Sequence, residues 1–209
     1  MDAMTGNDER QPGMGDEPTG LVRLFVGKGQ GKSWAALGCA FRATACGMKV
    51  HIIQFLKSNT SSEPLSQLEK ELPRFKIDSF GQHCPFIDLL KNGLINCREC
   101  RKCYVSPRHV KGMDIEFAEL AFEMAWGVVR SGDYSLLVLD EVLRALEFGL
   151  FEEEELIKLI DAKPLSMELI LTGTDAPPAV MKRAQAITYL MALKKPFAHE
   201  VKPRLGIDY

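Results

Sequence analysis

From about residue 21 onward, short apolar runs alternate with longer stretches in which apolar residues recur every three or four positions. Leu21 to Val26 is apolar except at Arg23, which predicts a strand buried on both faces. Lys49 to Phe55, Phe75 to Phe80, Leu136 to Leu139, Glu168 to Leu171 and Ala186 to Met191 read as further strands. Between them, Lys32 to Cys46, Pro64 to Leu72, Met113 to Arg130, Glu152 to Ile160 and Pro178 to Ala184 predict helices. The period is clearest in Met113 to Arg130, where Phe117, Leu120, Ala121, Met124 and Val128 share one face. Strands alternating with helices give an α/β fold, a mostly parallel sheet with helices on both faces. Residues 1–20 are rich in Gly, Pro, Asp and Asn without a hydrophobic period, and they predict a mobile tail before a single domain over 21–209. No internal repeat is visible.

Composition narrows the function classes. A chain of 209 residues buries a substantial core as one domain. Its formal net charge is −2 and its pI near 6.1, so it lacks the basic excess that drives nucleic-acid binding. No apolar stretch approaches the ~20 residues that span a bilayer, and the first twenty residues are polar rather than signal-like. A cytoplasmic protein with neither a nucleic-acid nor a membrane partner is expected.

The junction between the first strand and the first helix carries the strongest chemical signal. Gly27-Lys28-Gly29-Gln30-Gly31-Lys32-Ser33 has the spacing Gly-x-x-x-Gly-Lys-Ser, one residue shorter than the common P-loop pattern. Closely spaced glycines let the backbone wrap an anion while the N–H groups opening the next helix point at it. Lys32 would supply a point charge and Ser33 a hydroxyl for Mg²⁺. The run Leu136 to Leu139 ends in Asp140-Glu141, which delivers two carboxylates to the strand edge where α/β sheets hold ligands. One would hold Mg²⁺ directly or through water, and the other would position it or polarise a ligand.

Cys97, Cys100 and Cys103 form a Cys-x-x-Cys-x-x-Cys run within an insertion near 81–112. With Cys84 they make a four-thiolate set for structural Zn²⁺. An iron–sulfur cluster is the competing occupant, although the fourth Cys followed by Pro of ferredoxins is missing. His83 and His109 are further candidate ligands, and a loop of free thiols is the remaining reading. Cys39 and Cys46 fall among alanines of the first helix and read as small core residues.

The glycine loop, Gln54-Phe55-Leu56-Lys57, Leu139-Asp140-Glu141, Leu171-Thr172-Gly173 with Ala176-Pro177-Pro178, and Gly206-Ile207-Asp208-Tyr209 occur in that order. Together they resemble the ATP:corrinoid adenosyltransferases of the BtuR/CobO type. That resemblance implies a P-loop NTPase-like (RecA-like) fold and a homodimer. It implies an enzyme in which a cob(I) corrinoid attacks C5′ of ATP and expels triphosphate, with Mg²⁺ at the phosphates. By position, Gly29, Gly31, Lys32 and Ser33 match the phosphate loop, Glu141 the metal-site carboxylate beside Asp140, and Arg42 an arginine near the nucleotide. Phe86 is the nearest match to aromatics on the corrinoid side, with Phe80 close by. Lys57 ends the second strand at the ligand edge. Trp34, Thr174 and Lys195 depart from the residues usual at their positions, and Lys28 and Gln30 redistribute charge within the loop. Those departures support the alternative of a non-catalytic corrinoid or ATP carrier or sensor, with an NTPase third. A flavoprotein reductant and a corrinoid-dependent acceptor enzyme are the partners implied.

Overall fold

The computed structural model describes residues 19–58, 63–92, 94–95, 105–108 and 110–194. Among the described residues six strands form one parallel sheet: β1 (Val22–Val26), β2 (Val50–Phe55), β3 (Phe75–Phe80), β4 (Leu136–Asp140), β5 (Glu168–Thr172) and β6 (Ala186–Tyr189). Their spatial order is β3-β2-β4-β5-β1-β6. The helices are α1 (Lys32–Ala45), α2 (Glu63–Glu71), α3 (Ile87–Lys91), α4 (Gly112–Ser131), α5 (Val142–Glu147), α6 (Glu153–Ala162) and α7 (Pro178–Met181).

Period-two alternation sorts the central strands into two cores. Val50 and Ile52 of β2 and Leu136 and Val138 of β4 pack with Ala36, Leu37 and Ala40 of α1. Their alternates Ile53, Phe55, Leu137 and Leu139 pack with α4, α5 and α6 through Ala121, Phe122, Leu143 and Leu156. Central strands are therefore apolar on both faces, as their unbroken apolar runs predict.

All eleven expected elements form, with ends shifted by a few residues. Two short helices escaped the sequence reading. α5 has only six residues and follows β4 with Glu141 alone between them, and α3 has only five, so neither is long enough to show a helical period. β6 stops at Tyr189 rather than Met191 because its ladder ends with its neighbour, Val26 pairing with Tyr189 before the chain turns at Gly27. Gly20, expected in the mobile tail, is tied down: its N–H donates to the Leu165 carbonyl and its carbonyl accepts from Lys163 Nζ. Residues 1–18 lie outside the described residues.

Candidate functional site at the carboxyl edge of the sheet

The glycine loop leaves β1 and enters α1, held from outside by the chain that leaves β6. Leu190 N–H donates to the Val26 carbonyl (2.8 Å), and the Leu190 carbonyl accepts from Gly29 N–H (3.0 Å). Gly27 N–H donates to the Thr174 carbonyl (2.9 Å). This approach requires glycine: a Cβ at Gly27 would lie 2.3 Å from the Leu190 carbonyl oxygen, and one at Gly29 2.6 Å from it. Gly27 also has φ 121°, which L side chains avoid. Lys32 folds its ammonium back onto the Gly27 and Gly29 carbonyls at 2.9 and 3.0 Å. No side chain caps the start of α1 and no acidic residue occupies its first turn, which leaves that turn suited to an anion.

Strand order sets what faces the loop. β5 lies between β1 and β4, so Thr172 at its end stands between the loop strand and Asp140. Sheet register pairs Gln54 with Asp140 and Leu139 with Leu171, placing Gln54, Asp140 and Thr172 in one row. Thr172 Oγ1 donates to Asp140 Oδ1 (2.7 Å) and accepts from Glu141 N–H (2.8 Å). Gln54 Nε2 donates to Asp140 Oδ2 at 3.1 Å. Lys57 Nζ donates to Asp140 Oδ2 at 2.5 Å and to Ser33 Oγ at 3.1 Å. Burial alone would push the Asp140 carboxyl up, but the Lys57 charge and hydrogen bonds from Lys57, Thr172 and Ser33 together hold it below its ordinary value.

Glu141 has the opposite balance. Burial and the neighbouring Asp140 charge raise its carboxyl above the ordinary value, against the opposing charges of Lys57, Arg144 and Lys32. Its backbone is left-handed at φ 60°, and its Oε2 is buried without a hydrogen-bond partner. The orphaned Glu141 oxygen, the Asp140 carboxylate next to it in the chain and the Ser33 hydroxyl that hydrogen-bonds Asp140 are all oxygen donors, the chemistry that fits Mg²⁺. Among the described residues, no group of three or more His, Cys, Asp or Glu side chains gathers as a metal site.

Other expected residues are more scattered. Lys28, Gln30 and Trp34 are exposed around the loop, Trp34 at 47%. Arg42 is not brought to it. It lies exposed in the last turn of α1, about 14 Å along the axis from Ser33 at 1.5 Å per residue. Phe86 and Cys84 are half-buried between β3 and α3. Cys97, Cys100, Cys103, His109, Lys195 and the terminal Gly206-Ile207-Asp208-Tyr209 motif fall outside the described residues. Lys57, Gln54 and Thr172, quoted in motifs without a binding role, are instead central. Their signal was position: each stands at or just beyond the end of an apolar strand run, as Asp140 does. A pocket of about 110 Å³ beside them is lined by Leu56, Lys57, Val105, Glu141, Arg144 and Phe148.

The chain is similar in sequence to known proteins. The family model described as ATP:corrinoid adenosyltransferase BtuR/CobO/CobP matches residues 18–209. A corrinoid adenosyltransferase of Sinorhizobium sp is 27% identical over 191 residues, covering 91% of this chain and 80% of the relative. One from Pseudomonas aeruginosa is 26% identical over 192 residues, covering 91% and 84%. The one named CobA in Salmonella typhimurium is 27% identical over 193 residues, covering 92% and 87%. Domain III of the Thermotoga maritima replication initiation protein DnaA aligns with a TM-score of 0.34 and 14% identity, over 81% of this chain and 54% of that one. With its glycine loop and buried carboxylates in place, the chain belongs to the ATP:corrinoid adenosyltransferase family.

Proposed function

We propose that this protein transfers the 5′-deoxyadenosyl group of ATP to the cobalt of a reduced cob(I) corrinoid, releasing triphosphate. The observation that carries the reading is the glycine loop with Lys32 at the same sheet edge as the Ser33, Asp140 and Glu141 oxygens. In the reaction the cobalt electron pair forms the bond to C5′, the C5′–O bond breaks, and its electrons leave on the triphosphate. No proton is removed from the nucleophile, so the protein needs no general base. Its work is at the leaving group.

There the loop N–H groups from Gln30 to Ser33 and the Lys32 ammonium would gather on the triphosphate, stabilising charge that grows as the bond breaks. Ser33, Asp140 and Glu141 would hold Mg²⁺, which when bound supplies further positive charge to the phosphates. Exposed Trp34 would lie against the nucleotide, and Phe86 would face the corrinoid. A cytoplasmic homodimer, supplied with electrons by a flavoprotein and serving a corrinoid-dependent acceptor enzyme, completes the reading. Zn²⁺ or an iron–sulfur cluster at Cys84, Cys97, Cys100 and Cys103 is tested by metal analysis with a visible spectrum of anaerobically purified protein, since only the cluster gives visible bands.

The test of function mixes reduced cobalamin, ATP and Mg²⁺ with the protein. Growth of alkylcobalamin absorbance with stoichiometric triphosphate is the expected result. Lys32→Ala should suppress both while leaving the folded protein intact. ATP binding with neither change would replace the transferase by the carrier or sensor reading, which the bulk and exposure of Trp34 favour. Orthophosphate release without a corrinoid would favour an NTPase.

A further inference from the structure

The Lys57 ammonium occupies an unusual place. It bridges Ser33 Oγ (3.1 Å) and Asp140 Oδ2 (2.5 Å), two of the three side chains to which the proposed function gives Mg²⁺. The lysine reaches them from β2 rather than from the loop. Leu56 turns the chain with φ 60° just after β2 ends, and Gly81 lets the end of β3 close up, since a Cβ there would lie 2.8 Å from the Lys57 backbone nitrogen and carbonyl carbon. The side chain is thus aimed by backbone geometry, and it remains 31% exposed, with a route outward.

Asp140 meanwhile has little acceptor capacity left. Its Oδ1 is engaged by Thr172 and its Oδ2 by Gln54 and Lys57, and the Ser33 hydroxyl also hydrogen-bonds the carboxyl. Thr172 and Gln54 belong to the fixed row across β5, β4 and β2. Lys57, on a long flexible stem beyond the strand, is the partner able to leave.

We propose that Lys57 is an internal cation that holds the divalent-metal position of the nucleotide site, between Ser33 and Asp140, until a metal–nucleotide complex displaces it. The inference rests on the metal role proposed for Ser33, Asp140 and Glu141. Its consequence is coupling. Free divalent metal must compete with a tethered ammonium for a carboxylate, whereas a metal arriving on a triphosphate brings loop and Lys32 contacts that favour the exchange. Nucleotide and metal therefore enter together, and the empty protein excludes stray divalent ions.

Mn²⁺ serves as the probe, because its free form is counted directly by electron paramagnetic resonance. Nucleotide-free full-length wild type, Lys57→Met and Lys57→Gln are titrated with Mn²⁺, each first checked for a cooperative melt. The expected result is at least tenfold tighter Mn²⁺ binding by whichever Lys57 variant folds, with the gain abolished when Asp140→Asn is added. With ATP present, the difference between wild type and variant should shrink. Equal or weaker Mn²⁺ binding by the folded variants overturns the proposal, and a gain that survives Asp140→Asn overturns it together with the metal assignment. An inactive protein that shows the expected gain would sink the transferase function and leave Lys57 in this role. An active one without the gain would do the reverse.

Discussion

Gly27 and Glu141 are two of the positions, with Gly31 and Leu56, where the site takes a positive φ. At Gly27, φ is 121° and the Leu190 carbonyl fills the space a side chain would need. Gly27→Ala should cost about 1–3 kcal/mol and weaken ATP binding, measured as a lower melting temperature and a raised Kd by calorimetry. Glu141 is a non-glycine residue at φ 60° whose carboxyl is raised from its ordinary 4.5 by burial and by Asp140. The folded protein therefore holds that proton more tightly than the unfolded chain, and stability falls as pH rises from 4.5 through the raised value. Glu141→Gln removes this penalty. Melting curves should coincide below pH 4.5 and separate above it, the variant being more stable at neutral pH; a constant gap at all pH values would contradict the assignment. Lys32, Ser33, Asp140 and Glu141 were legible because their chemistry is local, a loop spacing and a strand ending in acids. Lys57 was visible only as a charge at a strand end, since its partners lie 24 and 83 residues away.

At the scale of elements, the alternating apolar runs were enough to find the strands and longer helices, because a strand buried on both faces leaves an unbroken run. They were not enough to order the strands. That β5 separates the loop strand from the carboxylate strand depends on crossovers, and only this order puts Thr172 where one hydroxyl satisfies both Asp140 Oδ1 and Glu141 N–H. Thr172→Val keeps the shape of the side chain but orphans a buried carboxylate oxygen and a backbone N–H, a loss of about 1–3 kcal/mol. Thr172→Ser retains the hydroxyl and should recover most of it. Urea denaturation of the two variants checks the difference. If Val and Ser are equally destabilised, packing of the methyl group rather than the hydrogen-bond bridge explains the position.

Across the whole molecule, the nucleotide site joins chain segments that are distant in sequence: the β1 loop, the ends of β2, β4 and β5, and Leu190 after β6. A ligand gripping that edge binds the folded state alone, because no unfolded chain assembles these groups. At a concentration a hundredfold above its Kd it stabilises by about 2.7 kcal/mol. For a domain of this length each kcal/mol moves the midpoint by about 2–4 °C, so MgATP should raise the melting temperature by roughly 5–10 °C at that saturation. Lys32→Ala should melt near wild type without ligand, since its contacts are to loop carbonyls that face the site, and should lose most of the shift. ATP with a chelator should shift wild type less than MgATP does. Because Lys57 already neutralises Asp140 in the empty protein, Mg²⁺ alone should produce little shift, and the metal's contribution should emerge only with nucleotide. A large shift with Mg²⁺ alone would show that the carboxylate edge is open to the ion and that the site fills in two independent steps.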